Sequence, residues 1–288
     1  MFFQQILSGL VLGSIYALVA LGFVLIYKAT EVVNFAQGEF LMFGAFVGYS
    51  LMVIWGLPIW LGLFLNLILM GFLGMLVERI FIRPLIGEPL FVIAIVTIGL
   101  SIVMRTIAGL IWSFDTLVPP KIFSDRTINL GDHVISLVNL YIILVSWGLM
   151  IVLYLFFRFT RMGISMRATA QNQFATFLMG INVKWVFTLT WGLSAVVATI
   201  AGTLVSPIVL ISPGMSYLGL KAFPAAILGG FGSIPGAIVG GVIIGISETL
   251  AGANLPEGFK DIFAYCILIG VLMLRPEGIF GKFEKKKV

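Results

Sequence analysis

Apolar residues are gathered into long runs, about 6–27, 32–54, 58–80, 91–112, 138–157, 185–206, 218–252 and 259–274, separated by short polar stretches. Runs of about 20 residues without strict alternation predict membrane-spanning helices, because backbone groups in lipid must be satisfied within their own segment unless a barrel closes them. The pattern therefore predicts an all-α integral membrane protein with about eight hydrophobic segments, forming a single transmembrane domain over 1–288. The seventh run differs from the rest. From Leu228 to Gly236 it holds four glycines and Pro235, which oppose one straight helix. Two shorter arms around a broken centre, entering and leaving on the same side, are expected there.

Composition supports this reading. Of 288 residues 60% are hydrophobic and 10% are charged, against about 25% charged in soluble domains. A polar skin for a soluble enzyme cannot be built from so few charges, so lipid is the main partner of the surface. The net charge of +5 comes from basic residues scattered beside apolar runs. They act as topology signals and give no reason to expect a nucleic-acid partner. With Lys28, Arg79, Arg83, Arg158, Arg161, Arg167, Lys184, Arg275, Lys282, Lys285, Lys286 and Lys287 inside, twelve of the 17 basic residues are cytoplasmic. The N-terminus is then outside and the C-terminus cytoplasmic. Met1 to Gln5 carry no basic residue, so the first run is expected to be a retained span and not a signal peptide.

Two connections are long. The external one, 113–138, contains Asp115, Pro119, Pro120, Lys121, Asp125, Arg126, Asp132 and the single histidine, His133. The cytoplasmic one, 158–184, contains a predicted helix over 165–180 in which residues 166, 170, 174, 177 and 178 share an apolar face. Ser165 is placed to cap its start and Gly180 to close its end. Such a helix either lies on the membrane surface or docks on a cytoplasmic protein.

Polar residues inside apolar runs are the other candidates for function. Asn34, Gln37 and Glu39 interrupt the second run, and a carboxylate at a helix centre costs about 2.5–3.5 kcal/mol on insertion scales. Either Glu39 lies near the cytoplasmic end and pairs with Lys28, or the group borders a conduit where Gly38 admits a second backbone. Gly229, Gly230, Gly232, Ser233, Pro235 and Gly236 allow a similar choice between close helix packing and a polar cavity lined by broken backbone. Gly236, Gly240, Gly241 and Gly245 continue the small-residue spacing, and the run from Gly9 to Gly13 is faintly similar to that from Gly241 to Gly245. Asn66, Glu78, Arg105 and Glu248 read as packing hydrogen bonds or interfacial charges. No Lys-Ser or Lys-Thr follows the glycines as a phosphate-binding loop requires. Cys266 is the single cysteine, so neither an intrachain disulfide nor a thiolate metal cluster is available; with no nucleophile triad or nucleotide loop either, no catalytic residue, metal site or cofactor is expected.

Four stretches together, Gly9 to Gly22, Asn34 to Gly44, Arg167 to Asn182 and Lys221 to Ala237, resemble the permease subunits of branched-chain amino acid ABC importers of the LivH type. The resemblance covers nearly the whole chain. It implies that the cytoplasmic loop is the segment coupling transport to an ATPase subunit, with Arg167, Ala168, Ala170, Ala175 and Gly180 at the contact. Gln171 and Asn172 stand where relatives often carry an acidic residue. The resemblance also implies a multi-pass protein of a bacterial-type plasma membrane, a second related permease, two cytoplasmic ATPases and an external substrate-binding protein. A urea or short-amide importer subunit, or an ATP-independent channel or secondary transporter, are the alternative expectations.

Overall fold

The computed structural model describes residues 2–120, 122, 127–130, 133–256 and 259–281. Lys121, Asp125, Arg126, Asp132 and the basic tail from Lys282 lie outside the described residues. Eleven α-helices are found among the described residues: α1 (Phe2–Thr30), α2 (Gln37–Tyr49), α3 (Ile59–Val77), α4 (Leu90–Trp112), α5 (Leu137–Phe159), α6 (Arg161–Gln171), α7 (Gln173–Leu178), α8 (Val183–Val209), α9 (Tyr217–Gly229), α10 (Ile234–Asn254) and α11 (Phe259–Leu274), with α2 and α3 continued by π-helical turns over Ser50–Ile54 and Glu78–Ile82. A small antiparallel hairpin, β1 (Thr127–Leu130) and β2 (His133–Ser136), sits in the 113–138 connection.

Among the described residues, seven helical stretches are long and apolar enough to cross a bilayer: Phe2–Thr30, Gln37–Ile54, Ile59–Leu85, Leu90–Trp112, Leu137–Phe159, Val183–Val209 and Ile234–Asn254. The eighth predicted segment is the shorter helix α11, and the seventh is divided into α9 and α10 around residues 230–233. Large apolar side chains project outward on α3, α4 and α5, among them Phe64, Phe72, Phe91, Ile95, Ile102, Ile151 and Val152. A continuous apolar exterior of this kind suits lipid or another membrane subunit and not water.

Helix α1 is the centre of the bundle, buried along most of its length and packed against α8, α9, α10 and α5. Its contact with α10 explains the faint similarity between Gly9–Gly13 and Gly241–Gly245: the two stretches meet face to face. A Cβ placed on Gly245 would run into the backbone of Gly13, and one on Gly241 into Ala17. Without side chains there the helix axes approach closely, as in small-residue packing in membranes.

Two ends of the bundle can be distinguished. Tyr27 at the end of α1 meets Phe231 in the α9–α10 break, and Ile279 and Phe280 donate backbone hydrogen bonds to Leu228 and Gly229. Arg83 below α3 reaches Thr188 in the second turn of α8, and α6 packs on α1 and α8. This is the basic end. At the far end Leu117 pairs with Ile211.

Candidate functional site

The second apolar run does not begin as a helix. Glu31 takes a left-handed conformation, φ 58°, and ends α1, a position where glycine is the usual signal. Residues 32–36 then run back into the bundle without helical structure, and α2 starts only at Gln37. Non-helical backbone is tolerated at membrane depth only where protein satisfies it. Here the amide of Val32 donates to Thr30 Oγ1, that of Phe35 to Thr97 Oγ1 and that of Ala36 to Asn34 Oδ1, while Gln37 N–H reaches the Asn34 carbonyl.

Asn34 and Gln37 are wholly buried. Asn34 Nδ2 donates to Gln37 Oε1 at 3.3 Å, and Ser194 Oγ on α8 is 3.0 Å from the same oxygen. The two amides thus lock the unwound segment to α8 and lie in the packed interior of this chain. Gly38 is pressed against Ser216 and Gly219, where a Cβ would strike the Ser216 carbonyl. That contact brings the start of α2 against the start of α9.

Glu39 is 2% exposed. It does not pair with Lys28: Arg105 Nη2 on α4 donates to Glu39 Oε1 at 2.7 Å. The correction has a physical cause, since residues 32–36 carry the start of α2 away from the end of α1 where Lys28 lies. Two further pairs repeat the plan. Arg83 meets Glu78 at 2.9 Å, with Thr188 Oγ1 donating to the same carboxylate. Lys221 Nζ meets Glu248 at 3.1 Å, and Tyr16 OH donates to the other Glu248 oxygen at 2.7 Å. In each pair the carboxylate is buried and roughly a quarter of the cation is exposed (29, 29 and 27%). Desolvated acids retain their charge only with such partners. The packing roles expected of Glu78, Arg105, Glu248 and Asn66 agree with these contacts; Asn66 Nδ2 donates to the Gly44 carbonyl. Missing from the sequence reading were Tyr16, Thr188 and Ser194, and Lys221 entered it only as the start of a motif. The rule that a membrane-buried acid needs a nearby cation pointed to Lys221 only as a class, and not to the three hydroxyls.

The glycine-rich break lies at the basic end. Gly229 and Gly236 are packed on each other, and Gly230, with φ +97°, abuts Gly281 and Glu277. Ser233 caps α10 by accepting from Gly236 N–H at 3.1 Å; Gly232 and Pro235 are exposed. This is a tight helical hairpin held by the segment after α11, and it gives the break a packing role.

The predicted helix over 165–180 is two helices. Asn172 is extended, φ −159°, and its Oδ1 caps α7 through Ala175 N–H. Helix α6 starts earlier than expected and is capped by Thr160, not Ser165, through Gly163 N–H. The single apolar face is therefore divided: Met166 is buried, while Phe174, Phe177, Leu178 and Met179 stand exposed. Ala168 and Ala170 are half-buried and Ala175 is exposed. Arg167 Nη2 donates to the Arg158 carbonyl at 3.4 Å, and Gly180 closes α7 with φ +81°.

Among the described residues no group of three His, Cys, Asp or Glu is placed to hold a metal. The arrangement offers a helical scaffold with an unwound segment in its interior and an apolar knob at the basic end.

The profile of the family described as the permease component of branched-chain amino acid transport systems matches residues 5–272. The chain is 34% identical, over all of its length and 98% of the relative, to the high-affinity branched-chain amino acid transport system permease protein LivH of Salmonella typhimurium. It is 36% identical over the same shares to the corresponding protein BraD of Pseudomonas aeruginosa. A probable LivH of Methanocaldococcus jannaschii is 30% identical, with 98% of this chain and 94% of the relative covered. No solved structure matches the chain significantly.

Proposed function

Since the chain belongs to the family of permease components of branched-chain amino acid transport systems, we propose that it forms half of the membrane path of an ATP-driven importer of branched-chain amino acids. The end-to-end identity to LivH and BraD carries this reading. The partners are a second related permease, two ATPase subunits on the cytoplasmic side and a substrate-binding protein outside. ATP hydrolysis belongs to the partners, as the sequence holds no phosphate-binding loop.

The basic end is cytoplasmic by charge, which sets the N-terminus outside and the C-terminus inside a bacterial-type plasma membrane. On that side α6 and α7 form the coupling element, with Phe174, Phe177, Leu178 and Met179 entering a groove of the ATPase beside Ala175 and Gly180. Closure of the ATPases on ATP pushes α6, which packs on α1 and α8. These two helices carry Thr30 and Ser194, two of the groups that hold the unwound segment 32–37, so the push reaches the interior and shifts the balance between inward and outward access. The residues from Asn34 to Glu39 then border the path when the helices part, and Gly229 to Gly236 serve as the hairpin pivot.

Reconstitution tests the reading. Proteoliposomes with the two permeases, the ATPases and a leucine-loaded binding protein should concentrate leucine when ATP is supplied. This chain alone should neither hydrolyse ATP nor concentrate leucine. Concentrative uptake by the chain alone would replace the importer reading with a secondary carrier, and uptake of urea or amides in place of leucine would change the substrate.

A further inference from the structure

We propose that Arg105 and Tyr217 form a carboxylate-recognition site for the transported amino acid on a wetted face of this chain; the proposal rests on the importer reading above. Arg105 is the sixteenth of 23 residues in α4, so it lies about 22 Å from the basic end of that helix and about 10 Å from the far end. At that depth its guanidinium is 29% exposed. The Tyr217 ring, 54% exposed at the start of α9, stacks on it with the ring centroid 4.6 Å from Arg105 Cζ. Lys221, one turn further along α9, is 27% exposed. A charged and aromatic polar patch at membrane depth does not face lipid; it faces a protein interior or a water-filled path.

The construction of the patch also selects a ligand. The carboxylates of Glu39 and Glu248 are buried behind it and the two cations stand in front. Charge therefore cancels in the Arg105–Glu39 pair, so it has no strong preference for a net anion, while part of the guanidinium stays exposed. A net-neutral solute that carries a carboxylate, namely a zwitterionic amino acid, fits both features. Among the described residues Arg105 spends Nη2 on Glu39, and its Nε is buried without a hydrogen bond. Guanidinium has five N–H donors in a fixed fork, so donors remain for a substrate carboxylate. Glu39 on one side and the Tyr217 ring on the other hold the plane in place beforehand, which suits bidentate recognition. Arg105 lies in the half of α4 nearer the far end, where solute arriving from outside would first meet the bundle.

Two measurements on the complete assembly in a Cys266→Ser background test the proposal. Tyr217→Cys should react with a membrane-impermeant thiol reagent in reconstituted complexes, and leucine delivered by the binding protein should slow the reaction. Absence of reaction would mean that the face is dry, and would overturn the site. The second measurement separates recognition from charge balance. Arg105→Gln alone leaves Glu39 buried without a partner, so the informative variant is the double change Arg105→Gln with Glu39→Gln. If Arg105 serves only to neutralise Glu39, the double variant should import leucine as fast as Glu39→Gln alone, which keeps Arg105 and accounts for the place of Glu39 beside the path. Recognition predicts a loss of about tenfold or more, the size expected when a charge-assisted hydrogen bond is removed. Failure of the wild-type assembly to import leucine would instead reject the importer reading itself.

Discussion

The proposed coupling element gives a quantitative expectation. Phe174 and Phe177 are 71% and 65% exposed on α7, so truncation to alanine removes little from the fold of this chain. If both rings are buried on docking, the loss can be worked out. Burying a whole phenylalanine side chain stabilises by about 1.5–3 kcal/mol, and about two thirds of each ring remains to be buried, leaving roughly 1–2 kcal/mol per residue. The double variant Phe174→Ala with Phe177→Ala should therefore weaken ATPase docking by about 2–4 kcal/mol, or roughly 30- to 1,000-fold. Affinity of the ATPase for the purified permease pair in detergent would be measured alongside ATP hydrolysis stimulated by the loaded binding protein. Both should fall together, while the thermal stability of the permease pair changes by no more than about 0.5 kcal/mol, as for surface positions. Docking within twofold of wild type would refute the assignment of α7 to the ATPase contact and return it to the membrane surface.

Three other outcomes are expected. Gly245→Leu should force α1 and α10 apart, because even its Cβ meets the Gly13 backbone; a cost of about 1–3 kcal/mol or more should appear as a lower midpoint in detergent thermal denaturation. Gly230→Leu should strongly reduce transport by the full assembly, since it combines strain at φ +97° with a clash against Gly281; normal uptake would show that the hairpin tolerates bulk. In a Cys266→Ser background, a cysteine at Asp115 should react with an impermeant thiol reagent from outside and one at Gln171 only after permeabilisation, both positions being exposed; the reverse pattern would invert the orientation.

The run lengths alone determined that the protein is a helical membrane protein, because an apolar run of bilayer length with no alternation has no other way to satisfy its backbone. They also located the break near Gly230, since Pro235 and the glycines are local punctuation that acts wherever the helix lies. The family was legible as well, from four motifs whose order spans the chain. Burial and partners were not legible. Glu39 could be matched on paper with Lys28, its neighbour in sequence, and only the path of residues 32–36 and the packing of α4 beside α2 delivered Arg105 instead. The single face drawn across 165–180 failed for a similar reason: Asn172 offers its side chain as a cap and cuts the helix, a local competition that periodicity does not register. Ser194 gave no sequence signal and Lys221 only that of a basic residue opening a motif, because a hydroxyl or an ammonium gains its partner in a membrane protein only from the buried group that folding brings against it. Periodicity fixes which residues can lie within a segment, and the sequence separations of 66 between Glu39 and Arg105 and 232 between Tyr16 and Glu248 were closed by helix packing alone.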